Sequence, residues 1–87
     1  MSKRQKQIAR LVSIPSDYTY SELSVLLRSF GYVELNKGKT SGSRVRFFRE
    51  ADNHVIDLHK PHPGDILGKN AVRAIIRTLV ENGDVSI

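Results

Sequence analysis

Eighty-seven residues make one domain, because a chain this short buries only about 60–65% of its unfolded surface and leaves nothing for a second core. With 39% apolar and 26% charged residues the composition excludes a disordered tail or a low-complexity linker. The absence of cysteine excludes disulfide staples, thiolate metal sites and cysteine nucleophiles, and a net charge of +5 directs attention to polyanions.

Ile8, Leu11 and Val12 recur at helical spacing and Pro15 ends the run, so a short helix is expected in an N-terminal extension over 3–15. Thr19 followed by Glu22 has the form of a capping box. Leu23, Leu26, Leu27 and Phe30 then form an apolar stripe that Gly31 closes. From Tyr32 the period becomes two, which predicts a strand with Val33 and Leu35 facing the core and Tyr32, Glu34 and Asn36 facing water. Residues 37–42 are a polar, glycine-containing loop.

A second strand over 44–49 places Val45 and Phe47 inward and Arg44, Arg46 and Phe48 outward. After a turn at 50–53, a third strand over 54–59 places Ile56 and Leu58 inward. If Arg49 faces His54 across that turn, Phe47 meets Ile56 and Val45 meets Leu58 in the core, while Arg46 meets Asp57 and Arg44 meets His59 outside. Pro61, Pro63 and Gly64 end the strand. The last helix is expected to take Asn70 as its N-cap and Val72, Ile75, Ile76, Leu79 and Val80 as its stripe, stopping before Gly83.

The pattern predicts a single α+β domain over 1–87 with a core at about 18–83. A three-stranded antiparallel sheet has its helices packed on one face, in the order α-β-β-β-α. The other face is expected to stay open to water with Tyr32, Glu34, Arg44, Arg46, Phe48, Asp57 and His59 on it. No apolar run approaches the length of a membrane span or a signal-peptide core, so no membrane contact and a cytoplasmic location are expected.

Between Asn36 and Arg49 lie Lys37, Lys39, Arg44, Arg46 and Arg49 with no acid among them. A second basic group, Lys3, Arg4, Lys6 and Arg10, reads as a solvated charge run. Gly38-Lys39-Thr40 lacks the earlier glycine of a phosphate loop, since Val33 stands there, and strands flank it on both sides. His54, His59 and His62 with Asp57 include no helical histidine pair, and neither metal nor cofactor is expected. What remains is an electropositive face with His59 at its rim and His62 just beyond. RNA cleavage without metal needs a base for the 2′-hydroxyl, an acid for the leaving oxygen and cations for the phosphate. Cations at these spacings suit a phosphate backbone, and imidazole titrates near neutrality. The bland alternative is a hydrogen-bonded histidine at a strand end among solvated cations.

Gly31-Tyr32, the run from Gly38 to Phe47 (Gly-Lys-Thr-Ser-Gly-Ser-Arg-Val-Arg-Phe), and Leu58-His59-Lys60-Pro61-His62-Pro63-Gly64 before the last helix together resemble the HicA family of toxin–antitoxin ribonucleases, over roughly 18–83. The resemblance implies a double-stranded-RNA-binding-domain-like fold, cleavage of mRNA, and neutralisation by a HicB-type antitoxin. In the usual family motif Gly-Ser is followed by a histidine taken as catalytic; here Gly42-Ser43 is followed by Arg44. Arginine binds phosphate and stabilises charge but is no ordinary general base. His59, at the later histidine of the motif, is then the expected base, with Arg44 as its partner at the reacting centre. Lys37, Lys39, Ser43, Arg46, Lys60 and His62 are the expected RNA contacts. The competing expectation is a non-catalytic RNA-binding or antitoxin-binding module on the same fold.

Overall fold

The computed structural model describes residues 2–35, 44–61 and 64–86. The elements run α1 (Lys3–Val12), α2 (Tyr20–Ser29), β1 (Val33–Leu35), β2 (Arg44–Arg49), β3 (His54–His59) and α3 (Lys69–Glu81). The three strands form an antiparallel sheet in the order β1-β2-β3. Leu11 of α1, Leu23, Leu26 and Leu27 of α2, and Val72, Ile75 and Leu79 of α3 share one core with Val45, Phe47 and Ile56 of the sheet. The result is the α+β arrangement, like that of a double-stranded-RNA-binding domain, with the helices on a single sheet face.

The first two helices start where local side chains satisfy their free amides. In α2, Thr19 Oγ1 accepts from the Glu22 amide at 3.1 Å while the Glu22 carboxylate accepts from the Thr19 amide at 3.0 Å, the reciprocal capping box its sequence predicts. Asp65 adds a second cap, accepting from the Ser21 amide and hydroxyl at 3.2 and 2.7 Å. Ser2 and Gln5 form the same kind of box on α1, so this helix begins earlier than its apolar spacing indicates. Arg10 of α1 donates to Glu22 and Asp17, joining the first two helices.

The start of α3 differs from expectation. Its N-cap is Gly68, with no side-chain cap bond, and Asn70 lies inside the first turn, where it accepts from Arg73 at 3.2 Å. The preceding segment decides this. Leu67 is buried and its amide donates to the Tyr18 carbonyl at 2.8 Å, while the Tyr20 amide donates to the Asp65 carbonyl at 2.7 Å. That pinned segment delivers the chain into the helix two residues before Asn70. Val80, expected in the apolar stripe, is 39% exposed, because the core ends at Leu79 and Val85.

The β2–β3 register is the one the sequence predicts, from Arg44 opposite His59 to Arg49 opposite His54. The parity of β1 is the reverse of the expected one. Glu34 pairs with the fully buried Phe47, whereas Val33 pairs with Phe48 and Leu35 with Arg46. Glu34 therefore stands on the helix side, and Val33 and Leu35 stand on the open side.

The cause is Tyr32, which is buried rather than outward. Gly31 turns the chain at φ +99°, a conformation that costs glycine little. The Tyr32 hydroxyl then donates to Asp84 at 2.8 Å and accepts from Asn82 at 3.0 Å, and the Arg49 guanidinium lies 4.5 Å from its ring centroid. Burial of the large ring with its hydroxyl paired sets the phase, and strand alternation then carries Glu34 to the helix side and Val33 and Leu35 to the open side.

Candidate nucleic-acid interface

On the face away from the helices, the two registers align outward side chains in rows across the sheet. Val33, Phe48 and Val55 form the first row, Leu35, Arg46 and Asp57 the second, and Arg44 and His59 the third. The side is thus graded from apolar at the turn end to basic at the opposite end.

In the middle row, Arg46 Nε and Nη2 donate to the two oxygens of Asp57 at 2.7 and 3.2 Å. This fork holds the Asp57 carboxyl below the usual carboxylate range, chiefly through the hydrogen bond and against some desolvation, with Arg46 and Arg44 adding their charge. Both side chains are about half exposed, so the pair contributes little stability and serves to fix the guanidinium in place.

Arg44 and His59 are exposed and face each other across the strand pair. Among the described residues neither has a side-chain hydrogen bond or an ion pair. The row therefore presents one permanent cation and one imidazole side by side to solvent. That combination can bind a phosphate oxygen and exchange a proton with a neighbouring hydroxyl.

Other predicted residues are placed differently. Lys60 follows His59 and leaves the row; its ammonium lies 5.3 Å from the ring centroid of Tyr20, whose side chain belongs to the core. Arg49 shares the parity of Phe47 and is committed to Asp84 at 2.7 Å, Asp52 at 2.9 and 2.7 Å and the Phe30 carbonyl at 3.1 Å. Its charge is thereby taken out of the basic cluster. His54 sits beside that cluster, 3.1 Å from Asp52. Lys37, Lys39, Ser43 and His62 lie outside the described residues. Among the described residues no group of three histidines or carboxylates converges to hold a metal ion. Likewise no helix among them is long and apolar enough to cross a membrane.

Sequence reasoning missed the apolar row. Alternation from Ile56 already implies that Val55 faces outward. Val33 follows only once Tyr32 is known to be a core residue.

No curated protein and no solved structure matches the chain. The family model for the HicA toxin of bacterial toxin–antitoxin systems matches residues 20–79, which takes in α2, the whole sheet and most of α3. Since that match spans well over half of the chain, and the fold beneath it is the α-β-β-β-α arrangement, the chain belongs to the HicA toxin family.

Proposed function

We propose that the chain is an mRNA endoribonuclease that works without metal in the cytoplasm and is neutralised by a HicB-type antitoxin. The observation that carries this reading is the third row of the open face, Arg44 opposite His59 with both side chains exposed. In the proposed reaction, neutral His59 takes the proton of a ribose 2′-hydroxyl. The 2′-oxygen attacks the adjacent phosphorus, and the 5′-oxygen leaves with a proton from solvent, giving a 2′,3′-cyclic phosphate and a 5′-hydroxyl. Arg44 stays protonated throughout and stabilises the charge that grows on the phosphate oxygens. Arg46, oriented by Asp57, lies one row further along the same strand, where a neighbouring phosphate would pass. Lys37, Lys39, Ser43 and His62 complete the proposed RNA contacts from the sequence, and Lys60, drawn toward Tyr20, adds its charge from outside the row.

One observation favours a second reading, a binding module without chemistry: arginine stands at the position where the family motif carries its histidine. Induced expression in bacteria separates the two. The ribonuclease reading predicts growth arrest with loss of bulk mRNA, relieved by co-expression of a HicB-type antitoxin and abolished by His59→Ala. Arrest that persists unchanged in His59→Ala, with mRNA intact, favours the binding module.

A further inference from the structure

Val33 is 58% and Val55 40% exposed, and Phe48 lies between them, half-buried, on the side of the sheet that none of the described helices covers. Three adjacent apolar side chains on this side of the sheet keep apolar area in water, an unfavourable hydration that packing among the described residues does not remove. We propose that this row is a base-stacking platform, and that the chain therefore takes single-stranded RNA, seating one unpaired base on Phe48.

The position relative to the basic rows supports the assignment. Phe48, Arg46 and Arg44 are successive outward residues of β2, and such residues stand about 6.5–7 Å apart along a strand. A base on Phe48 thus lies about 13–14 Å from the Arg44–His59 row, which is two strand repeats. An extended single strand can lie along β2 with its phosphates passing Arg46 and Arg44 and a base turned onto the aromatic ring. A duplex cannot present a base face to a ring, because its bases are stacked on one another. Val33 and Val55 flank the ring on the neighbouring strands and exclude water from the stack.

The row is better matched to a nucleotide than to a protein surface. It offers a single aromatic ring, and the next row already brings the Arg46–Asp57 pair beside Leu35, whereas a stable protein interface buries ~800 Å² per partner. A base needs only one ring, and the adjacent cations complement its phosphate.

The inference rests on the proposed ribonuclease function and adds the strandedness of the substrate and a positioning residue. The test uses the full chain with a 2′-O-methyl RNA octamer carrying one 2-aminopurine, which cannot be cleaved because its 2′-oxygen is blocked. Wild type should bind the single strand and quench the fluorescence, and should bind the same octamer at least tenfold more weakly once it is annealed to its complement. Phe48→Tyr, which keeps the ring, should behave as wild type. Phe48→Leu should bind roughly 5- to 100-fold more weakly, without quenching.

Should Phe48→Leu fail to fold, the exposed-site variant Val55→Thr takes its place, with a smaller loss of affinity and of quenching expected. If wild type binds the octamer while the leucine variant or the duplex binds equally well, the platform is overturned and the ribonuclease reading stands. If wild type binds neither RNA, both fall. Unchanged RNA binding by Phe48→Leu together with failed capture by a HicB-type antitoxin assigns the row to protein and overturns the proposal.

Discussion

Arg44, Arg46 and Arg49 share one strand and meet three different fates, set by parity and partner. Arg49 points to the helix side, where its side chain is 13% exposed against an Asp84 that is 9% exposed. Removing one member of such a pair strands the other, so Arg49→Ala should cost about 3 kcal/mol and lower the Tm by roughly 10–20 °C. Arg46→Ala, in a pair open to solvent, should cost under about 1 kcal/mol. Thermal unfolding of the two variants checks both values, and equal losses would contradict the distinction.

Asp57 gives a second residue-level test. Its folded pKa is lowered by Arg46, so the pair's small contribution is fully present above the ordinary aspartate pKa and is lost as pH falls through the lowered one. An NMR titration of the Asp57 carboxyl should have its midpoint below about 3.9, the unperturbed aspartate value, and Arg46→Ala should bring it back toward that value. A midpoint that ignores the substitution would mean that the fork does not persist in solution.

Among the elements, the hairpin was readable because two six-residue strands alternate cleanly and a four-residue turn fixes their register. The second helix was readable from its capping box. The first strand was not. It has three residues, too few for alternation to outvote a neighbour, and its phase is set by Tyr32, whose partner Asp84 is 52 residues away. The start of the last helix escaped for a similar reason, because Leu67 is pinned by a carbonyl from the far side of the second helix's cap. In the candidate site, the opposition of Arg44 and His59 followed from the hairpin alone. The diversion of Lys60 to Tyr20 and of Arg49 to Asp84 required tertiary contacts that no local pattern encodes.

The reversed first strand has a measurable consequence. Tyr32→Ala should cost about 3–5 kcal/mol as a core truncation, whereas Val33→Ser, at an exposed site, should cost under about 1 kcal/mol. Urea denaturation decides it: a larger loss at Val33 than at Tyr32 would restore the opposite phase.

At the scale of the whole molecule, the net charge of +5 is divided by the fold. Arg49 and Arg10 are neutralised within the structure, while Arg44 stays unpaired among the described residues beside His59. RNA affinity should therefore fall as salt rises. Replacing Arg44 and Arg46 should flatten the slope by about 0.7 for each phosphate that is no longer neutralised, and replacing Lys3 and Lys6 should leave it nearly unchanged. A slope governed by the N-terminal lysines would move the interface off the sheet.

The chemistry itself is tested most directly by incubating the purified chain with single-stranded RNA in EDTA and identifying the new ends. Wild type should leave 2′,3′-cyclic phosphate and 5′-hydroxyl ends, Arg44→Ala should leave fewer of them, and a folded His59→Ala should leave none. RNA left intact by the wild type, cleavage that EDTA abolishes, or equal cleavage by His59→Ala would contradict a metal-free ribonuclease built on His59.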